Sequence, residues 1–306
     1  MGKRDAFDIT TYTYKTVKNH KFLTDVLIPK DIPTGPRPIL IRLHGGFLIT
    51  GSRQQEEFFG LWVSQLASTN GAIFIQPDYR LLPEATGVEI LSDLDDFWTW
   101  FNADLPGILE KVAPGVTADY SRVVVAGESA GGYLSLQFAL DHKDKISAAI
   151  AIYPMTDIRA PHYTQDYVKG MAGAPVYPES LIDECLAKKT DDSVVTEAQR
   201  VELMFSIVQH GRMLDLIGPQ ETRIFLEDRV KNGEKFPPLF VIHGETDTSV
   251  PFEDAAALLK LAQEKDAGLE LCFTHPEGEH GFDANFTVDN PILADGVKFV
   301  KDKWLA

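Results

Sequence analysis

The sequence predicts an α/β protein: a mostly parallel, eight-stranded sheet with helices on both faces and a helical cap inserted after the sixth strand. Three observations predict it. Short β-branched apolar runs alternate with longer helix-patterned stretches, the order that builds doubly wound sheets. One run, Arg122-Val123-Val124-Val125-Ala126, is apolar almost throughout, as strands covered on both faces are. From about residue 156 to 236 the strand signal stops and only helical patterns remain.

Taken in order, Tyr12 to Val17 and Phe22 to Ile28 read as an opening pair of strands. Pro33, Gly35, Pro36 and Pro38 mark a loop before the buried run Ile39 to Leu43. Gln54 to Ser68 reads as one helix, with Phe58, Leu61, Trp62 and Leu66 on a single face. Ala72 to Ile75 is a strand and Ile90 to Phe101 a helix. After the Arg122 run a helix starts near Ser129, and Ala148 to Tyr153 is the sixth strand. Helical patterns follow at Glu179 to Lys188 and Glu197 to Leu216. Pro238 to Ile242 and Leu269 to Phe273 are the last strands, and Ile292 to Lys303 the last helix. The expected division is a core of residues 1–155 and 237–306 and a cap of residues 156–236.

A hydrophobic share of 44% with 24% charged residues is that of an ordinary globular chain, not of a disordered or fibrous one. The net charge of −16 repels phosphate backbones and anionic lipid, so neither nucleic acid nor a membrane surface is an expected partner. No apolar run approaches the ~20 residues of a membrane span. Two distant cysteines, Cys185 and Cys272, make neither a disulfide framework nor a zinc spacing, which fits a reducing compartment. The opening residues carry no apolar signal region. The expectation is a soluble, cytoplasmic protein, monomer or homodimer, that acts on a small molecule.

The chemistry sits at strand ends. Gly127-Glu128-Ser129-Ala130-Gly131 follows one strand directly and opens a helix. That strand–turn–helix setting holds a serine in a strained turn with its hydroxyl exposed, over a helix N-terminus that favours developing negative charge. His44-Gly45-Gly46-Phe47 follows the Ile39 to Leu43 strand. Backbone N–H groups of Gly45, Gly46 and Phe47, with that of Ala130, are the expected oxyanion donors, each typically worth about 3–4 kcal/mol in the transition state. His44 itself reads as a brace for the loop.

A serine nucleophile needs an acid and then a base further along the chain. Asp247 and Glu245 both follow the Leu239 to Ile242 strand. His280 stands in the loop after the last strand, with His275 and His243 as rivals. No HExxH, Walker or GxGxxG pattern occurs, and the histidines lack metal-ligand spacing, so no metal or cofactor is expected. Phe47, Met204, Phe205 and Met213 are candidates to line a substrate pocket.

With these motifs assembled, the chain resembles the hormone-sensitive-lipase-like branch of the α/β hydrolases. The resemblance rests on His44-Gly45-Gly46, on Asp78-Tyr79-Arg80-Leu81-Leu82-Pro83-Glu84, and on Gly127 to Gly132. It extends to Asp247 ahead of Val250-Pro251 and to His280-Gly281-Phe282. It implies Ser129 as nucleophile, Asp247 rather than Glu245 as acid, His280 as base, and Asp78 and Arg80 as structural braces. It implies hydrolysis of small to medium, fairly apolar carboxylic esters. The chain departs from the branch in having Phe47 where a third glycine is usual. That variant is also similar to arylformamidases. A dedicated thioesterase or amidase is the alternative enzyme, and a non-catalytic receptor the alternative of another class.

Overall fold

The structure is a computed structural model and describes residues 2–306. The chain opens with the hairpin β1 (Phe7–Val17) and β2 (His20–Pro29), then β3 (Gly35–Leu43), α1 (Leu61–Thr69), β4 (Ile73–Pro77) and α2 (Gly87–Val112). Next come β5 (Val116–Glu128), α3 (Ala130–Asp141) and β6 (Ala148–Ile152). A strand-free, mainly helical stretch follows: α4 (Pro161–Thr164), α5 (Ser180–Lys188), α6 (Val201–Gln209), α7 (Met213–Leu216) and α8 (Leu226–Lys231). The chain closes with β7 (Leu239–Ile242), α9 (Phe252–Lys265), β8 (Leu271–Thr274) and α10 (Ala294–Trp304).

The eight strands form one sheet in the order β1-β2-β4-β3-β5-β6-β7-β8. Only β2 breaks the parallel run, pairing antiparallel with β1 and β4. Alternation along each strand feeds two apolar layers. Ile39, Ile41, Ile73, Ile75, Val123 and Val125 face one layer; Leu40, Phe74, Val124, Ala126 and Ile150 face the other. Leu94, Phe97 and Phe101 of α2 and Leu134 and Phe138 of α3 cover the first. Trp62 and Leu66 of α1 and Val300 and Trp304 of α10 cover the second. Register puts Gly127 beside Leu43 and Ala151, so the ends of β3, β5 and β6 lie side by side. Among the described residues, no helix is long and apolar enough to cross a membrane.

Several elements differ from the sequence expectation. The single helix over 54–68 is broken: a 3-10 turn at Glu56–Phe58 is followed by extended Phe59 and Gly60 before α1. Phe59 leaves the helical path to seat its ring 3.9 Å under the Arg42 guanidinium. The helix over 197–216 is two, α6 and α7, because Gly211 takes φ 64° and closes α6, its N–H and that of Arg212 donating to the Val208 and Ile207 carbonyls. Lys169 then caps the freed carbonyls of Val208 and Gln209, each at 2.8 Å. The α2 helix begins at a Thr86/Glu89 capping box and continues past Phe101 because Leu105, Ile108 and Leu109 prolong its buried face. The α9 helix was not expected. Its buried face is built largely from Ala255, Leu258, Leu259 and Ala262, a weak apolar stripe.

Candidate active site

Ser129 stands between the end of β5 and the start of α3, at φ 57° and ψ −119°. Positive φ costs a residue with a Cβ about 1 kcal/mol or more, so the neighbours must enforce it. They do: its N–H donates to the Ile152 carbonyl at 2.9 Å, and its carbonyl accepts from Met155 N at 3.1 Å. The helix behind it crosses the end of the neighbouring strand β3 closely. A Cβ on Gly131 would come within 2.1 Å of the Leu43 carbonyl oxygen, so this contact admits only glycine.

The loop after β3 turns sharply. Gly46 has φ 107° and accepts from the N–H groups of Ile49 and Thr50, while Phe47 and Leu48 also take positive φ. A Cβ on Gly46 would lie 2.0 Å from the Thr50 oxygen. Of the four predicted oxyanion donors, Gly45 is excluded by its bonding. Its N–H donates to Glu128 Oε1 at 3.0 Å. Among the described residues, the N–H groups of Gly46, Phe47 and Ala130 donate to no protein acceptor. Glu128 is buried and also pairs with buried Arg42. Burial pushes the Glu128 carboxyl up, against the pull of that guanidinium. This pair anchors the glycine loop to the strand that carries Ser129.

Asp247 and His280, the two residues the resemblance implies, meet in the structure. His280 Nδ1 lies 2.7 Å from Asp247 Oδ2. The other carboxylate oxygen, Oδ1, accepts from the N–H groups of Ser249 and Val250, both at 2.9 Å. Burial alone would raise the Asp247 carboxyl. The His243 and His280 bonds outweigh burial and hold it well below the usual carboxylate range. The rivals are elsewhere. Glu245 and His275 pair with each other at 2.6 Å on the surface. His243 is buried, 3.1 Å from the Val250 carbonyl and 3.3 Å from Asp247, so it steadies the loop that carries Asp247. His44 stacks on Tyr79 at 4.2 Å, and burial lowers it to about 3, which keeps this brace neutral. Arg80 braces α2 through Asp93 and Glu89, and Asp78 holds Arg53.

Ser129 and His280 line one cavity of about 330 Å³, together with Gly45, Gly46, Phe47, Tyr153, Met204 and Phe205. Among the described residues no hydrogen bond joins Ser129 to His280; such bonds often tighten only with substrate. Met213 does not line the cavity. It is fully buried, because α7 packs against α4 and turns that side chain into the core.

Sequence reasoning missed Tyr153, whose ring packs against His280, and Asp283, which accepts from the Tyr153 hydroxyl. It also missed the pairing of Glu128 with Arg42. A charged residue inside the apolar run Ile39-Leu40-Ile41-Arg42-Leu43 was the available signal.

A sequence model of the alpha/beta hydrolase fold family matches residues 40–283. The chain is an α/β hydrolase. It falls in the hormone-sensitive-lipase-like branch of that family. A probable carboxylesterase, M8, of Phoma sp. is 28% identical to this hydrolase over 98% of it and 97% of the relative. A non-reducing polyketide synthase, Preu6, of Preussia isomera is 23% identical across 97% of the hydrolase, which spans 15% of the synthase. Among solved structures, esterase 2 of Thermogutta terrifontis, phosphonylated by sarin, aligns with a TM-score of 0.61 at 18% identity. That alignment covers 98% of this chain and 94% of the esterase, and at such low identity it speaks to the fold alone.

Proposed function

We propose that this hydrolase cleaves carboxylic esters of small to medium, fairly apolar substrates through an acyl-enzyme. The observation that carries the reading is His280, paired with Asp247 at 2.7 Å, lining one cavity with a strained, helix-opening Ser129. In this mechanism His280 takes the Ser129 proton as the hydroxyl attacks the ester carbonyl. Asp247 fixes the tautomer that leaves Nε2 free and steadies the imidazolium. The N–H groups of Gly46, Phe47 and Ala130 hold the tetrahedral oxyanion. His280 then protonates the departing alcohol, and water repeats the sequence to free the acid. Residues 156–236 serve as the cap over a core of residues 1–155 and 237–306, and α6 supplies Met204 and Phe205 to the cavity wall. Two free cysteines fit a reducing compartment such as the cytoplasm.

Hydrolysis of short p-nitrophenyl esters by the wild type and by Ser129→Ala tests the reading. Loss of activity in the variant supports it; equal rates defeat it. The whole-chain likeness to one segment of a polyketide synthase favours a second reading, in which the acyl donor is a thioester. Matched oxygen esters and N-acetylcysteamine thioesters of one acid separate the two.

A further inference from the structure

Beside the cavity lies a second concavity of different chemistry. It measures about 430 Å³ and is lined by Ser52, Gln54, Gln55, Glu57, Glu197, Ala198 and Gln199. Glu57 lines both spaces, so they are neighbours on either side of one side chain. The catalytic cavity is walled mainly by apolar side chains. The groove presents one hydroxyl, three primary amides and two carboxylates, and no lysine, arginine or histidine.

The groove is built on fixed backbone. Gly51 and Ala198 form a two-bond bridge, at 2.8 and 3.2 Å, that ties its two rims together. Beneath it, buried Arg53 pairs with Asp25, Asp78 and Glu197. That guanidinium is therefore committed to three carboxylates and offers nothing to a ligand.

Resting on the ester-hydrolase reading, we propose that the substrate is amphipathic. Its apolar half fills the cavity beside Ser129, and a polar, donor-rich, non-anionic half lies in the 52–57/197–199 groove. Carboxylates and amide oxygens there accept from hydroxyl or ammonium donors, and the amide N–H groups bond ligand oxygens. An anionic substituent would meet Glu57, and a Glu197 whose partner Arg53 is already shared with Asp25 and Asp78. The groove thus selects by chemistry, while the cavity selects by apolar fit.

The test compares hydrolysis of propyl hexanoate with 1-monohexanoylglycerol, and of methyl hexanoate with methyl 5,6-dihydroxyhexanoate, by the full chain. The two pairs put the polar half on the alcohol side and on the acyl side. In one pair the hydroxylated ester should show a kcat/KM about tenfold higher, the yield of one or two net hydrogen bonds. The double variant Gln54→Ala, Gln199→Ala, both exposed positions, should bring that ratio close to one. Hexanoylcholine should likewise be preferred over the hexanoyl ester of 3-hydroxypropionate, and Glu57→Gln should narrow that gap. Equal efficiency within both pairs, or a ratio that the double variant leaves unchanged, overturns the proposal. If no ester is turned over and a fluorophosphonate leaves Ser129 unlabelled, the hydrolase reading itself fails, and the proposal with it.

Discussion

The Tyr153 ring lies 4.5 Å from the His280 ring, centroid to centroid. Tyr153 is itself held at φ 35°, and its hydroxyl donates to Asp283 Oδ1 at 3.0 Å. Asp283 Oδ2 accepts from Trp62 Nε1 at 2.7 Å. A buried carboxylate three residues beyond His280 thus fixes the aromatic surface on which the imidazole rests. Tyr153→Phe keeps the ring and removes one donor from that carboxylate. It should lower stability by about 1–3 kcal/mol and reduce kcat several-fold with KM little changed. Denaturant titration and steady-state kinetics check both.

Asp247→Asn should reduce kcat by about ten-thousandfold, because an amide reverses the tautomer preference of His280 while keeping the shape. Glu245→Gln, in the surface pair with His275, should leave it within twofold. Kinetics of the two variants side by side decide between the candidate acids; a reversed order assigns the role to Glu245.

Arg42 and Glu128 are 0% and 1% exposed at their side chains. Removing one member strands a buried charge, so Arg42→Leu should cost about 3–5 kcal/mol. Arg42→Leu with Glu128→Leu should recover much of that stability, yet not the activity, because Gly45 loses its anchor. Urea unfolding and ester hydrolysis measure the two effects separately.

Gly46→Ala should both destabilise the fold and impair turnover. Its Cβ would stand 2.0 Å from the Thr50 oxygen at a φ of 107°, so the loop must move. A loss above about 2 kcal/mol is expected from such backbone strain, with kcat falling more than KM rises. Calorimetry and initial rates provide the check.

His162 is 8% exposed, and burial, aided by the Lys169 charge, lowers it to about 4 from 6.5. A depressed histidine stabilises the fold above its unfolded value, and that contribution is lost as pH falls. Between about pH 6.5 and 4 it should amount to about 3 kcal/mol. The wild type should therefore lose more stability over this window than His162→Gln. Urea midpoints at several pH values reveal the difference; parallel curves would refute it.

Much of this was legible in the sequence because strand ends carry short-range signals. Buried runs such as Val123-Val124-Val125 announced the sheet, and the glycines around Ser129 announced the turn. Pairing was harder. Nothing local to Glu128 says that it accepts the Gly45 N–H, a contact across 83 residues. Nor does anything near Met213 say that α7 would turn it inward. The break at Phe59 goes with its seat under Arg42, whereas the break after α6 had a local mark, Gly211 at φ 64°. At Phe59 a distant side chain overrides a local periodicity. The α9 helix was missed for the opposite reason: alanines on its buried face give a period too faint to read.

The strands β6 and β7 are hydrogen-bonded neighbours, yet 86 residues separate Ile152 from Leu239. The intervening helices thus leave and rejoin the sheet at adjoining points. Their length is nearly invisible to the strands, since the entropy of closing a loop grows only slowly with size. Lengthening or shortening such an excursion would therefore change the entropic cost of pairing β6 with β7 by little.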